Sequence, residues 1–231
     1  MMRLAVVFRE KQIPSDDHFD RHFYILDEYY RMAMETGCEL VSVITGRDCE
    51  WLASVCDGLI IPGSAKPIDP KYYGEESIDP PQRVDEYAVE KKLIDLFLEQ
   101  GKPILGICHG LQALNVFFGG TIAEINYAPH QDEEKFHPIT LEKDSFVYDV
   151  FGKEEANVNS YHYWAIDKLA PNFRVVARSS KDGVIEAVED RTRHVYATQW
   201  HPEQSFRRGD PVEREFFKNF VALCEAVKGQ K

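Results

Sequence analysis

Short apolar runs alternate with helical patterns in the first half of the chain. Strand-like runs rich in β-branched and other apolar residues occupy Leu4–Phe8, Glu39–Ile44, Gly58–Ile61 and Pro103–Ile107. Apolar side chains at helical spacing lie between these runs, in Phe19–Met34, Cys49–Val55 and Arg83–Gln100. Strands that alternate with helices are typical of βαβ units, in which helices cover both faces of a parallel sheet. The first half therefore predicts an α/β fold.

The second half of the chain has a different pattern. From Thr121 onward, strand-like runs follow one another with few helices between them, at His137–Leu141, Asn157–Tyr161, Phe173–Arg178, Val184–Glu189 and His194–Gln199. Lys181–Gly183 is typical of a hairpin turn, and Pro211–Val227 has the pattern of an amphipathic helix. We therefore expect a single domain over residues 1–231. Its predicted architecture is a three-layer sandwich whose mostly parallel central sheet gains antiparallel strands in the C-terminal half.

Composition narrows the function classes. The 231 residues carry a formal net charge of −12, which argues against a general binder of nucleic acids or anionic membranes, because both need a basic face. Five cysteines without a CxxC pair argue against a disulfide framework. The N-terminal apolar run is too short for a signal peptide, and the uncharged stretch Pro103–Ala123 contains amide side chains and glycines that lipid would not accommodate. We expect a cytoplasmic protein that binds neither nucleic acid nor membrane.

A glycine-flanked cysteine is the sharpest local signal in the sequence. Gly106-Ile107-Cys108-His109-Gly110 lies between a predicted strand and the helical stretch Leu111–Phe118. A nucleophile at a tight strand-to-helix turn has a strained backbone and needs small residues two positions away on either side. The helix N-terminus would also favour a thiolate. The alternative is a buried structural cysteine in a glycine-bearing turn, and the pattern alone leaves both interpretations open.

A base for such a thiol is present near the C-terminus. A thiol nucleophile needs a base, and the base needs an orienting partner. His201 and Glu203 follow the last predicted strand, and Pro202 restrains the turn between them so that the carboxylate can fold back to the imidazole. The other histidines considered as bases are His109, His162 and His194.

The histidine spacing gives little support for a metal centre. His130 and His137 are candidate ligands, but neither H-E-x-x-H nor H-x-H spacing accompanies them. The sequence therefore predicts neither a metal site nor an organic cofactor.

The cysteine turn, followed far along the chain by His-Pro-Glu, resembles the class I glutamine amidotransferase-like superfamily. Within that superfamily the chain is most similar to the γ-glutamyl-γ-aminobutyrate hydrolases of the peptidase C26 family. The segments that carry this likeness are Pro70–Glu76, Arg83 with Asp85, Val158–Ser160 with His162, Ala165–Pro171 and Gly183–Val188. The resemblance implies the flavodoxin-like fold of class I glutamine amidotransferases over nearly the whole chain.

The resemblance also implies roles for particular residues. Cys108 is expected to be the nucleophile, His201 the base and Glu203 the acid that orients His201. The loop Leu59–Ser64 resembles the family's oxyanion loop, so the expected oxyanion donors are backbone N–H groups at Gly63, Ser64 and His109. The expected substrate-binding residues are Gln112, Ser160, Tyr161 and His162.

The activity implied by the resemblance is cysteine-dependent hydrolysis of γ-glutamyl amides, such as γ-glutamyl-γ-aminobutyrate, through a γ-glutamyl thioester. Such an enzyme needs only a small γ-glutamyl substrate and water, and it is compatible with a homodimer. The alternative is the glutaminase subunit of a glutamine amidotransferase, which supplies ammonia to a synthase partner. A redox-sensing thiol protein is a third hypothesis, but His201 and Glu203 argue against it because a sensor thiol needs no base.

Two departures from the hydrolase pattern concern the leaving amine. This chain has His162-Tyr163-Trp164 where those hydrolases usually have His-His-Gln, and His109 where they commonly carry arginine. Both positions are expected near the amine site, so the sequence does not assign the amine.

Overall fold

A computed structural model describes residues 1–14, 19–42, 48–77, 85–125, 130–209 and 211–230. Its strands are β1 (Arg3–Val6), β2 (Arg9–Pro14), β3 (Phe19–Tyr24), β4 (Glu39–Val41), β5 (Gly58–Ile61), β6 (Ile104–Ile107), β7 (Ile122–Glu124), β8 (Gln131–Leu141), β9 (Glu155–Tyr161), β10 (Trp164–Ile166), β11 (Arg174–Ser179), β12 (Ile185–Asp190) and β13 (Val195–Thr198). Its α-helices are α1 (Asp27–Thr36), α2 (Cys49–Val55), α3 (Glu86–Glu99), α4 (His109–Phe117), α5 (Phe146–Phe151), α6 (Ser205–Arg208) and α7 (Pro211–Lys228).

The central sheet combines a parallel half with an antiparallel half. Over the described residues it has nine strands in the order β4-β1-β5-β6-β13-β12-β11-β8-β9. The strands from β4 to β13 pair in parallel, and those from β13 to β9 pair antiparallel. The α/β prediction, with antiparallel strands added by the C-terminal half, is therefore confirmed.

Helices cover both faces of this sheet. Alternation along β1 directs Leu4 and Val6 into one core and Ala5 into the other. Apolar side chains of α1, α5 and α7 fill the first core, and those of α2, α3 and α4 fill the second. Strands β5 and β6 are buried along their whole length, as expected of a sheet between two helical layers. The predicted three-layer sandwich is confirmed.

The uncharged stretch Pro103–Ala123 folds into β6, α4 and the start of β7. Among the helices that the structure describes, none has the length and apolar character needed to cross a membrane.

The prediction of one helix across Phe19–Met34 is wrong in its first part. Phe19–Tyr24 is strand β3, which forms a hairpin with β2, and the helix begins only at Asp27. The spacing misled because positions four apart share a face of a strand as well as of a helix. Phe23 packs edge-on against Phe8, with ring centroids 4.9 Å apart, so tertiary packing selected the strand.

Several smaller differences concern short elements and helix ends. The sequence did not predict α5, whose six residues are too few for a periodic signal; its start is capped by the Ser145 hydroxyl, which accepts from the backbone N–H of Tyr148. It also missed the pairing of β7 with β10. The α3 helix begins after Asp85, whose carboxylate accepts from the N–H of Ala88. The predicted helix start at Arg83 and the end of the predicted strand at residues 43–44 lie outside the described residues.

Candidate active site

Cys108 lies at a sharp turn between β6 and α4. Its backbone has φ 52° and ψ −101°, a left-handed conformation that is strained for any residue with a side chain. A Cβ on Gly110 would lie 2.1 Å from the carbonyl oxygen of Ile61, and one on Gly106 would lie 2.6 Å from the carbonyl carbon of Gly110. The two flanking glycines are therefore needed because the backbone segments of the turn approach too closely for side chains.

The surroundings of Cys108 differ from those of the other four cysteines. Its Sγ accepts from Nε2 of Gln199 at 3.6 Å and lies 3.9 Å from the carbonyl oxygen of Tyr161. Burial raises the pKa of Cys56 to about 12 and raises that of Cys224 still further. The remaining buried thiols, Cys38 and Cys49, also have a pKa raised by burial. These four thiols stay protonated near neutral pH, which makes them poor nucleophiles.

His201 and Glu203 meet as the sequence predicted. Nδ1 of His201 lies 2.7 Å from Oε1 of Glu203 across a short 3₁₀ turn, and the carboxylate is almost completely buried. Asn159 holds the backbone of this turn from both sides. Its side-chain oxygen accepts from the N–H of His201 at 2.9 Å, and its amide nitrogen donates to the carbonyl of His201 at 2.8 Å. No role for Asn159 is predictable from the sequence pattern, although the residue stands next to Ser160 in the segment Val158–Ser160.

The charge state of His201 follows from its neighbours. Burial by itself lowers the pKa of the ring, but the Glu203 carboxylate and Cys108 outweigh burial and raise the pKa well above its ordinary value. Nε2 of His201 is buried, and the Cys108 side chain acts on this ring both as a charge and as a hydrogen-bond partner. The nitrogen remote from Glu203 is thus available to exchange a proton at the thiol side of the site.

The loop at Gly63 packs directly against His201 and Cys108. A Cβ on Gly63 would lie 2.8 Å from Cε1 of His201 and 3.7 Å from Cβ of Cys108. The buried Arg9 side chain holds this loop by donating from Nε to the carbonyl of Gly63 at 2.9 Å and from a terminal nitrogen to the carbonyl of Pro62. Because both carbonyls face Arg9, the loop backbone has a defined orientation beside the thiol.

Arg9 also belongs to a buried ionic network with α3. It donates to Glu90, which is fully buried, and His109 reaches the other oxygen of that carboxylate at 3.0 Å. The second ring nitrogen of His109 faces the carbonyl of Lys66 at 3.1 Å. Both nitrogens of His109 therefore face oxygen atoms, which fixes the orientation of the ring.

This placement corrects the expectation that the His109 side chain lies near a leaving amine. The ring is buried against Glu90 and Lys66, and only the backbone N–H of His109, at the start of α4, remains as a candidate oxyanion donor.

The network makes Glu90 a strongly ionised buried carboxylate. Burial alone raises the pKa of Glu90, but the positive charges of His109 and Arg9 outweigh burial and lower the pKa to about 2. Replacement by glutamine would remove the one carboxylate that contacts both Arg9 and His109 and would leave Arg9 only the more distant Glu86, at 3.6 Å. Loss of one partner from such a buried network is strongly destabilising.

We expect Glu90→Gln to lower the free energy of unfolding by about 3–5 kcal/mol at pH 7, measured by urea denaturation. Glu99→Gln, at the exposed end of the same helix, is the matched control and should change stability by less than about 0.5 kcal/mol. Because folding lowers the pKa of Glu90, its ionised carboxylate stabilises the fold at pH values above its ordinary pKa of 4.5. This contribution is lost as the pH falls towards 2. The difference between wild type and Glu90→Gln should therefore shrink below pH 4.5; equal stabilities at pH 7 would contradict the role of the network.

A pocket of about 430 Å³ opens over Cys108. Of the predicted site residues, those that line it are Gly63, Ser64, Cys108, Gln112, Tyr161, His162, His201 and Glu203. Further lining residues, which the sequence analysis did not single out as pocket residues, are Tyr24, Leu26, Ala65, Lys66, Pro67, Glu124, Tyr163 and Trp164. Ser160 differs from the expectation, because its hydroxyl faces Nδ1 of His130 at 2.9 Å, behind the pocket wall.

The segment from Tyr161 to Trp164 forms an aromatic wall of the pocket. The rings of Tyr161 and Tyr163 lie 5.9 Å apart and are half exposed. The carbonyl oxygen of Trp164 accepts from Nε2 of Gln112 at 2.7 Å and faces Nδ1 of His162 at 3.0 Å. Gln112 therefore ties the wall to the start of α4, and His162 fixes the turn within the wall; both also face the pocket.

The chain has clear similarity to known proteins. A family model described as peptidase C26 matches residues 5–203. A protein of Lactococcus lactis named as glutamine amidotransferase-like is 36% identical over 184 residues, which cover 73% of this chain and 74% of the relative. A γ-glutamyl-γ-aminobutyrate hydrolase of Escherichia coli is 29% identical over 194 residues, or 76% of this chain and 75% of the relative. A solved glutamine amidotransferase from Thermotoga maritima superposes with a TM-score of 0.66 at 12% identity, over 96% of this chain and 97% of that one, and shares its fold.

Proposed function

Since the chain belongs to the peptidase C26 family, we propose that it hydrolyses γ-glutamyl amides through a γ-glutamyl thioester on Cys108. One observation carries the proposal. The strained Cys108, the His201–Glu203 pair at 2.7 Å and the Gly63 loop converge on one pocket of about 430 Å³. A nucleophile, an oriented base and backbone donors around a concave site are the parts that acyl transfer requires.

The first half of the reaction forms the thioester. The Cys108 thiol passes its proton to Nε2 of His201 as the sulfur attacks the γ-carbonyl carbon of the substrate. The C–S bond forms and the carbonyl oxygen becomes an oxyanion. Backbone N–H groups at Gly63, Ser64 and His109 are the proposed donors to this oxyanion, an interaction worth about 3–4 kcal/mol per donor in related enzymes. The intermediate collapses with cleavage of the C–N bond, and the leaving amine takes a proton from Nε2 of His201.

The second half of the reaction regenerates the enzyme. His201, now neutral, accepts a proton from a water molecule that attacks the thioester carbonyl. The C–S bond breaks, glutamate leaves, and Cys108 and His201 return to their starting charge states. Glu203 holds the His201 ring with Nε2 towards the sulfur and stabilises the imidazolium that forms in each half-reaction.

The direct test is product release from a panel of γ-glutamyl compounds and glutamine, with the purified chain and its Cys108→Ala variant. We expect release of glutamate and free amine from a γ-glutamyl amine compound, dependent on Cys108, with glutamine a poor substrate. A folded protein whose Cys108 is alkylated by iodoacetamide, but which releases glutamate from no compound, would refute stand-alone hydrolysis.

The second candidate is a glutaminase subunit, which the similarity to glutamine amidotransferases favours. It has the same thioester chemistry, but its substrate is glutamine and its product ammonia is passed to a synthase. Ammonia release from glutamine that rises only when a synthase partner is added would favour this candidate over the hydrolase.

Glu203→Gln tests the role of Glu203 in orienting His201, while the nucleophile Cys108 is left in place. We expect kcat to fall by about 10²- to 10⁴-fold, less than for loss of the nucleophile. The Glu203 charge raises the pKa of His201, so its removal should lower that pKa and move the alkaline limb of the pH–rate profile to lower pH. Glu225→Gln, on the exposed face of α7, is the control. An unchanged alkaline limb in Glu203→Gln would contradict the proposed coupling.

A further inference from the structure

A cluster of three histidines and one glutamate lies behind the aromatic wall of the pocket. We call it the His–Glu cluster; its members are His130, His137, His162 and Glu186. Each of these residues is at most 3% exposed. Oε1 of Glu186 lies 3.3 Å from Nε2 of His137, 3.7 Å from Nδ1 of His130 and 4.0 Å from Nε2 of His162. Three imidazole nitrogens thus surround one carboxylate oxygen in a buried position.

Several polar atoms of the His–Glu cluster lack hydrogen-bond partners in the part of the chain that the structure describes. Among the described residues, both carboxylate oxygens of Glu186, both ring nitrogens of His137 and Nε2 of His162 have no hydrogen-bond partner. A buried polar atom without a partner costs about 1–3 kcal/mol, so several such atoms in one cluster call for a partner.

The spacing of these atoms matches ligands around a small cation better than direct hydrogen bonds. Zinc binds imidazole nitrogen and carboxylate oxygen at about 2.0–2.2 Å in tetrahedral sites, which places neighbouring ligand atoms about 3.4 Å apart. One ligand atom from each of His130, His137 and Glu186 lies within 4.8 Å of the others. Small side-chain rotations would bring these ligand atoms to the separation of about 3.4 Å expected around a tetrahedral zinc ion.

The outer contacts of two histidines are those of metal ligands. Nδ1 of His162 faces the carbonyl oxygen of Trp164 at 3.0 Å, and the proton it donates there leaves Nε2 as the lone-pair nitrogen towards Glu186. Nε2 of His130 faces the Asp182 carboxylate at 2.8 Å, which leaves Nδ1 as its lone-pair nitrogen. A carboxylate or carbonyl on the second ring nitrogen is the usual support of a metal-bound histidine. The Ser160 hydroxyl, which faces Nδ1 of His130, can rotate away when an ion binds.

We propose that His130, His137, His162 and Glu186 form a binding site for a divalent transition metal ion of the zinc type. The ligand set of three imidazoles and one carboxylate suits zinc rather than magnesium or calcium, which prefer oxygen ligands. The sequence named His130 and His137 as candidate ligands but predicted no site, because the other two ligands come from distant segments, the residue after β9 and strand β12. This site is independent of the substrate proposed above.

A bound ion would connect the cluster to the pocket wall. His162 both faces the pocket and belongs to the cluster, and Tyr161 beside it has its carbonyl oxygen 3.9 Å from the Cys108 sulfur. The ion would therefore hold the Tyr161–Trp164 wall in place and, by binding only the folded state, raise the melting temperature.

The test is a Zn²⁺ titration of the chelator-treated full chain, followed by metal content after gel filtration and by thermal melting. We expect one zinc ion per chain and a higher melting temperature in the wild type and in His22→Gln, whose histidine is exposed on the β2–β3 hairpin. His137→Gln should lose zinc binding by at least about 100-fold, and Asp182→Asn should weaken it by about 10- to 100-fold.

The proposal is overturned if the wild type retains no zinc, or if zinc affinity is unchanged in both His137→Gln and Asp182→Asn. If His137→Gln does not fold, the visible absorption spectrum of Co²⁺ bound to the wild type tests the proposal instead. Four-coordinate cobalt with three nitrogen ligands absorbs strongly in the visible range and supports the site, whereas the weak absorption of octahedral cobalt overturns it.

Discussion

Cys108→Ala is expected to reduce hydrolysis of γ-glutamyl amides by about 10⁵-fold or more, because the variant lacks the atom that forms the thioester. The fold should be retained, since the cysteine side chain is small and alanine meets the same left-handed backbone that Cys108 already adopts at φ 52°. The measurement is kcat/KM on the best substrate of the panel, together with circular dichroism and a melting curve for each protein.

The matched control for Cys108→Ala is Cys38→Ala, which removes another buried thiol. Burial raises the pKa of Cys38, so its thiol stays protonated and should contribute nothing to turnover. We expect Cys38→Ala to keep wild-type kcat/KM. Activity of Cys108→Ala within tenfold of the wild type would refute the nucleophile assignment.

Gly110→Ala is expected to destabilise the protein more than the addition of a methyl group at any other position near the site. Its Cβ would lie 2.1 Å from the carbonyl oxygen of Ile61 and 3.0 Å from the carbonyl carbon. Both are backbone atoms of a fully buried strand, so neither can move without separating α4 from β5. We expect a loss of about 3 kcal/mol or more in the free energy of unfolding and a parallel loss of activity, because α4 carries the turn that presents Cys108.

Gly229→Ala is the control for this substitution. Its Cβ would lie 3.5 Å from the carbonyl oxygen of Glu225, an ordinary contact, and we expect a change of no more than about 0.5 kcal/mol. Urea denaturation and turnover of the two variants should be compared side by side. Wild-type stability in Gly110→Ala would show that the turn tolerates a side chain.

The strands of the parallel half were predictable because burial on both faces removes any polar alternation. Gly58–Ile61 and Ile104–Ile107 are continuous apolar runs bounded by glycine or proline, and both are central strands. The segment Phe19–Tyr24 was misread, since its spacing fits two periodicities and only the packing of Phe23 on Phe8 distinguishes them. Short elements such as α5 were missed for a different reason, since six residues give no periodic signal.

In the candidate site, too, some features were predictable from the sequence and others were not. The sequence by itself indicated the turn at Cys108, through the glycines on either side of it, and the pairing of His201 with Glu203, because proline limits a three-residue turn. Only the tertiary structure decided that His109 turns away to Glu90, that Ser160 faces His130, and that Asn159 clamps His201. These contacts, like the His–Glu cluster, join residues that lie 19 to 56 positions apart in the sequence. They depend on strand order and register in the sheet, which local pattern does not encode.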